Sequence, residues 1–516
     1  MKGLLTRLFG DYDSKIFYPF LLAAGVMIVF LAFNQAAFTK VVSAMTNYLI
    51  FNFAWMFQIG ALLAILFCFW LMFSRYGDLK LGKDDDTPEF SDFAWISMMF
   101  SAGFGLSLWL WYSSEILYHL FESDRLKAMG LLGQPGGVAT ALQSVFMDWG
   151  LHGWCLFTVG ALAVALPAYR KDKPMSLSGG LYGLLGDKSY TSVWGRLTDI
   201  FGALGAFGGT AAAMGMGLTV IFYGFNDLTG IEMTLGPKAA IMLFIVVSFI
   251  CATISGLYKA IKWMSVINTW LTIFLCVFVL VLGPTVYMLT VTTEALGNYI
   301  TYFIDFSLWG NSGTGVDFET WKATGWQNWW LIFYILWWVS YIPFCAGFFA
   351  RISRGRTIRG FVAGSIFGPT IITFICFGVW SATSAHMQFT GQIDMYAQLQ
   401  NDFGGTIYRI LHQMPISLLT TTIVLISSYF YGVTTYNSTT YFLSMQFTGG
   451  DPNPKTSMRA LSGVLIGATG LAFLVIGDFN GLKSLGILAG TPFFIILLAY
   501  MLSIIKMLKA IEMKTF

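Results

Sequence analysis

Three aromatic residues in one apolar run could do chemistry. Within NWWLIFYILWWVSYIPFCAGFFARISRGRTIR, residues 328–359, Trp337, Trp338 and Tyr341 stand at i, i+1 and i+4. On a helix Trp337 and Tyr341 share a face one turn apart, with Trp338 beside them. Three π-faces converging from one helix make half a cage for an organic cation, which the ring quadrupoles attract. The competing reading is anchoring or core packing, because Trp and Tyr gather at membrane interfaces. That suits Trp326, Trp329 and Trp330 at the start of the run. Trp337 and Trp338 lie about two turns deeper at about 1.5 Å per residue, where anchoring fits poorly.

A second stretch, DWGLHGWCLF at 148–157, offers the other half of a cage. Trp154 and Phe157 share a helical face, and Trp149 lies above them at an offset. Asp148 and His152 stand at i and i+4 and could pair, either as a structural pair or as a proton relay. A third stretch, MMFSAGFGLSLWLWYSSEILY at 98–118, clusters Ser101, Ala102, Gly103, Gly105 and Ser107. Small residues serve tight helix crossings. They also permit a helix to unwind within the membrane and expose carbonyls to an ion or substrate. Hydroxyls gather in YGVTTYNSTT at 431–440, where adjacent Thr434 and Thr435 could offer oxygens to a hard cation. Alternatively they bond back to carbonyls one turn earlier. Thr210 is the one hydroxyl in the small-residue run FGALGAFGGTAAAMGMG at 201–217.

The elements holding these residues are membrane spans. The 516 residues are 56% hydrophobic, 17% aromatic and only 11% charged, and runs of about 20 apolar residues recur. Twelve spans are predicted: 16–33, 51–73, 93–116, 139–168, 199–225, 236–255, 263–289, 326–350, 360–382, 415–441, 458–476 and 486–508. With both termini cytoplasmic, 22 of the 29 Lys and Arg fall in inside segments and 7 in outside ones, as the positive-inside rule requires. Residues 1–15 are too charged, and the first apolar run too long, for a cleavable signal peptide. Both tails are short, which weighs against a tail-based sensor. Of two long outside loops, 290–325 and 383–414, the first contains Leu296–Leu308, read either as an amphipathic interfacial segment or as a loose polar connection.

Composition also weighs against other classes. Four dispersed histidines, His119, His152, His386 and His412, give no metal spacing, so a polytopic membrane enzyme is a remote alternative. Gly-rich helices paired with aromatic gates suit a transporter better than a channel. Six cysteines, all in apolar runs, suggest neither disulfides nor metal. The net charge of +3 carries no implication of nucleic acid.

Together, WWVSYIPFCAGFFARISRGRTIR, SAGFGLSLWLWYSSE and DWGLHGW resemble the betaine/choline/carnitine transporter family, in the family's order and across spans three to ten. The resemblance implies an all-α membrane protein of twelve helices with two inverted five-helix repeats in a LeuT-like core. It divides the chain into peripheral helices (1–92), a first repeat (93–289), an external linker (290–325), a second repeat (326–508) and a cytoplasmic tail (509–516). It implies a homotrimer in the cytoplasmic (inner) membrane, surrounded by lipid. The cargo would be a quaternary ammonium or sulfonium zwitterion, moved by alternating access without catalysis. Implied substrate-binding residues are Trp149, Trp154, Phe157, Trp337, Trp338, Tyr341, Tyr118, Phe104, Gly105 and Ser107, with Glu115 nearby. Implied cation-binding residues are Ser101, Phe104, Thr434, Thr435, Thr210, Asn268 and Phe344. No cofactor is implied beyond Na+ as a coupling ion. Sodium-independent antiporters of the family carry an Arg and a Met where this chain has Asn268 and Cys345. That favours sodium-coupled symport, with substrate/product antiport of the carnitine/butyrobetaine type as the alternative. One of the family's paired fifth-helix threonines is replaced by Ala206. Choline-selective members have an Asp where this chain has Ser107, which favours a betaine or carnitine over choline.

Overall fold

The computed structural model describes residues 2–513 other than 105, 256–257, 311–315, 318–321, 324–325, 452 and 475–478. The described chain is almost entirely helical, with one two-residue strand pair, Val316–Asp317 against Lys322–Ala323. The long helices are α1 (Ser14–Phe33), α2 (Gln35–Phe73), α3 (Asp92–Phe104), α4 (Leu108–Glu122), α5 (Val138–Trp149), α6 (Leu151–Arg170), α7 (Val193–Thr229), α8 (Leu235–Ser255), α9 (Tyr258–Leu282), α10 (Trp326–Ile352), α11 (Ile358–Phe389), α12 (Ser417–Phe447), α13 (Thr456–Leu474) and α14 (Phe479–Glu512). Their boundaries follow local chemistry. The Asn34 side chain caps α2 through the Ala37 amide at 3.1 Å, and Thr357 caps α11 through the Gly360 amide at 3.0 Å.

Among the described residues, ten helices are long and apolar enough to cross a membrane. The pair α3–α4, bent by 65°, makes an eleventh. The one remaining expected span, 458–476, corresponds to α13, whose continuation runs into residues 475–478, outside the described set. The expected span at 139–168 is one span, 135–170, but its helix is interrupted by Gly150 (φ −97°, ψ −134°) between α5 and α6. The expected span at 263–289 also divides, into α9 and a helix Thr285–Thr301. That second helix and Phe303–Ser307 hold most of Leu296–Leu308, which is not a loose connection. Gln143 of α5 donates to the Asn298 carbonyl at 3.2 Å, and Phe146 packs edge-on against Tyr299.

Helix α10 is the buried centre, packed on α6, α7 and α14. Glycines let the neighbours approach closely. A β-carbon on Gly209 of α7 would lie 2.0 Å from Ser340 Oγ, and one on Gly490 of α14 would lie 1.9 Å from the Leu336 carbonyl oxygen. Helices α1 and α8 lie outside, with only 28% of their spanning residues buried, and present apolar side chains such as Leu22 and Phe244 outward. A soluble protein could not leave such faces in water, whereas lipid tails accept them.

The basic loop after α10 is clamped to the acidic loop before α3. Backbone bonds run from the Leu81 amide to the Arg356 carbonyl (2.8 Å) and from the Gly355 amide to the Leu81 carbonyl (2.7 Å). Arg354 grips Asp86 with two bonds of 2.9 and 3.2 Å, Arg356 meets Asp92 at 2.7 Å, and Arg359 meets Asp78 at 2.7 Å. Gly355 sits at φ +83° with the Thr87 backbone where its β-carbon would be, a position that excludes other residues.

Candidate functional site

Six of the sequence-expected aromatics come together. Trp149 lies edge-on to Trp338 (ring centroids 5.7 Å) and to Trp337 (6.1 Å). Trp338 is backed by Phe157 at 5.1 Å and Trp154 at 5.7 Å. Trp337 meets Tyr341 edge-on at 5.8 Å. Trp149, Trp337, Trp338 and Tyr341 enclose a small cavity with Gly103 at its wall. Trp154 and Phe157 form a second layer, and a β-carbon on Gly103 would lie 2.9 Å from Trp154 and 3.1 Å from Phe157. The box is nearly closed: its cavity of about 10 Å³ has room for about one water molecule. A trimethylammonium head therefore requires the rings to part.

Helix breaks aim the rings. Gly150 ends α5 directly after Trp149, which places the Asp148 carbonyl in the last turn of α5. It accepts the Trp338 indole N–H at 2.8 Å, which fixes that ring across the α6–α10 contact. Helix α3 ends at Phe104 and α4 starts at Leu108, as expected of an unwound Gly-rich span. Ser101 and Ser107 are buried there, and neither hydroxyl has a hydrogen-bond partner among the described residues. Gly105 lies outside the described residues.

Below the box, α10 lines a cavity of about 380 Å³ with Phe344, Gly347 and Arg351, faced by Thr253, Asn437 and Gln446. It lies toward the basic loop. The ring pair Tyr341–Phe344, 5.1 Å apart, stands between the two spaces. Phe344 is thus placed at this lower wall. Tyr118 is placed on the other side: its half-buried ring packs on Trp330 at 5.4 Å and Phe403 at 6.2 Å, away from the four rings that line the box.

The hydroxyl candidates divide. Thr434 bonds back to the Phe430 carbonyl at 2.8 Å, the local alternative foreseen for it. Thr435 is fully buried, and its hydroxyl has no partner among the described residues. Thr210 meets the Thr439 hydroxyl at 3.2 Å, and Thr439 in turn donates to the Thr435 carbonyl at 3.1 Å. Thr210 and Thr435 therefore belong to one polar seam between α7 and α12. Asn268 is in another network: its side-chain carbonyl accepts from Ser427 at 2.5 Å, and Ser427 accepts from Trp109 at 2.8 Å.

The Asp148–His152 pair does not form. His152 meets Ser307 at 3.0 Å, while Asp148 turns to His119 at 3.1 Å. Sequence reasoning also missed Tyr334. It stands 5.2 Å from Trp149 and donates, with the Trp149 indole at 2.6 Å, to Glu115 Oε2. Its signal was available, because Tyr334 precedes Trp337 and Trp338 by three and four residues and so shares their side of the helix.

The family model described as betaine/carnitine/choline family transporter matches residues 15–513. This chain belongs to that family of multi-pass membrane transporters. Among its relatives, a probable glycine betaine transporter of Desulfitobacterium hafniense is 33% identical over 93% of this chain and 94% of its own length. The glycine betaine transporter OpuD of Bacillus subtilis is 31% identical over 96% and 94%. An osmo-independent choline transporter of Acinetobacter baylyi is 31% identical over 89% and 86%.

Proposed function

We propose that the protein carries a quaternary ammonium or sulfonium zwitterion, of the glycine betaine or carnitine kind, across the cytoplasmic membrane by alternating access with sodium. The observation that carries this reading is the box itself: Trp149, Trp337, Trp338 and Tyr341 line one cavity, and α10 leads from it to the cavity beside Arg351. Methylated cations suit ring faces because they offer no N–H that would need an acceptor. Each ring contributes about 1–2 kcal/mol when the cation is desolvated. The seam of Thr210, Thr435 and Thr439 supports a sodium ion, since hard cations take oxygen ligands. Thr434 donates its proton within α12 and keeps lone pairs for a cation. Carriage of relatives named for glycine betaine and choline supports an onium cargo.

Uptake of labelled glycine betaine, carnitine and choline into proteoliposomes, under an inward sodium or potassium gradient, tests the reading. Uptake that requires sodium is expected. Exchange of internal for external substrate at equal rates in potassium would establish the antiporter instead. Crosslinking in native membranes tests the homotrimer and the cytoplasmic termini follow from tag accessibility.

A further inference from the structure

A second constellation lies directly outside the box. Glu115 and His119 stand one turn apart on α4, and Asp148 reaches them from the end of α5. All three side chains are fully buried. One nitrogen, His119 Nε2, faces both carboxylates, at 3.1 Å from Asp148 Oδ2 and 3.5 Å from Glu115 Oε1. It can present one proton to only one of them at a time. Glu115 Oε1 and Asp148 Oδ1 accept no hydrogen bond among the described residues. Buried carboxylate oxygens without donors are costly, and a proton is the smallest group that relieves the cost.

The charges around the triad sharpen this. Tyr334 faces it from α10, with its hydroxyl on Glu115 Oε2. Lys483 faces it from α14, buried against Trp330 with the ring centroid 3.6 Å from its nitrogen, and within reach of the fields of Glu115, Glu122 and Asp148. Glu122, at the edge, accepts from Tyr396 at 2.9 Å. The imidazole of His152, on α6, is turned to Ser307.

The triad is hooked to the box at two points. Glu115 Oε2 holds the Trp149 indole at 2.6 Å, and Asp148, through its carbonyl, holds the Trp338 indole at 2.8 Å. We infer that Glu115, His119 and Asp148 bind one exchangeable proton whose occupancy competes with an onium charge in the aromatic box. An onium in the box lies one indole away from Glu115, across Trp149. Two positive charges at that range in a low-dielectric interior repel. Binding of the onium breaks one O–H or N–H bond in the triad and delivers the proton to water. By linkage, a proton on the triad weakens onium binding by the same factor. This inference rests on the onium reading of the box but has its own readout.

The test is calorimetric titration of the purified full-length protein with choline, whose net positive charge makes it the sharper probe, in two buffers of unlike ionisation enthalpy. Release of about one proton per choline is expected, with Kd rising toward about tenfold per pH unit as pH falls through the triad's transition. Asp148→Asn and His119→Gln should each bind choline at high pH but release no proton and lose the pH slope. Choline binding without proton release at every pH from about 5 to about 9 would overturn the inference. So would wild-type release by Asp148→Asn, or binding that a chelator abolishes and zinc restores, which would make the triad a metal site. If neither choline nor glycine betaine binds, the reading of the box fails instead. Infrared spectra of the ligand-free protein then decide the triad: a protonated-carboxyl band that titrates in the wild type and is missing in Asp148→Asn supports it, and no titrating band overturns it.

Discussion

Gly153→Ala should cripple the box without replacing any of its rings. Gly153 lies on α6 where Trp338 of α10 presses against it, and a β-carbon there would sit 2.5 Å from Trp338 Cδ2 and Cε2 and 2.8 Å from its Nε1. Carbon atoms settle at about 3.5–4.0 Å, so the indole must move by roughly 1 Å. It cannot move freely. Trp154, Phe157 and Trp149 crowd it, and its N–H is held by the Asp148 carbonyl at 2.8 Å. Overpacking of this kind costs about 1–3 kcal/mol, and the strained hydrogen bond about 0.5–1.5 kcal/mol more. Part of that falls on folding. The part that falls on the onium is the misaligned ring face, about 1–2 kcal/mol, or roughly a 5- to 30-fold weaker Kd. Glycine betaine titration of purified wild type and variant, alongside membrane abundance and melting temperature, separates the two shares. Gly153→Ala combined with Trp338→Phe should recover abundance, because the smaller ring makes room. A Gly153→Ala protein that binds with wild-type Kd would refute the reasoning, since Trp338 would then not face the cargo.

Trp338→Ala should reach the membrane yet lose uptake, and full uptake by that variant would remove the cage. Thr435→Val should raise the sodium concentration for half-maximal uptake about tenfold, the loss of one oxygen ligand worth about 1.4 kcal/mol, with little change at saturating sodium. An unaltered sodium dependence takes Thr435 out of the ion site. In the clamp between the two loops, the Arg354 hydrogen bonds, with help from the Lys83 amide, hold the Asp86 carboxyl below its ordinary value. The clamp between the two loops is therefore fully made above the ordinary carboxylate pKa of about 3.9 and is lost only as pH falls through the depressed one. Limited proteolysis of residues 82–92 should show no change from about pH 8 to about pH 5 and opening only in stronger acid. Arg354→Gln should open the loop at a higher pH than wild type.

The aromatic pairs were legible because helical spacing alone puts Trp337 beside Tyr341 and Trp154 beside Phe157. What spacing cannot supply is the partner across helices. Asp148 and His152 have ideal i, i+4 spacing, yet Gly150 breaks the helix between them and sends the two side chains to different neighbours. Glycine's backbone freedom thus overrode a pairing rule that assumes an unbroken helix. Thr434 and Thr435 were indistinguishable in sequence, and only the packed structure separates a back-bonded hydroxyl from a buried one without a partner among the described residues. Lys483 counted among the outside charges, but it is buried under aromatic rings beside the acidic triad. Its burial depends on α10 and α4, which no local window contains. The span count of ten or eleven reflects the described residues, with α13 ending where the description stops.

The central claim is that the box of Trp149, Trp337, Trp338 and Tyr341 holds its ligand by positive charge over ring faces. Competition between choline and its neutral isostere, in which a tert-butyl carbon replaces the quaternary nitrogen, isolates that charge at constant shape. With several rings contributing about 1–2 kcal/mol each, choline should bind at least about a hundredfold more tightly than the isostere, and Trp338→Ala should narrow the gap. Equal binding of the two would mean that the box selects by shape and apolar contact alone, and the cation reading would be wrong.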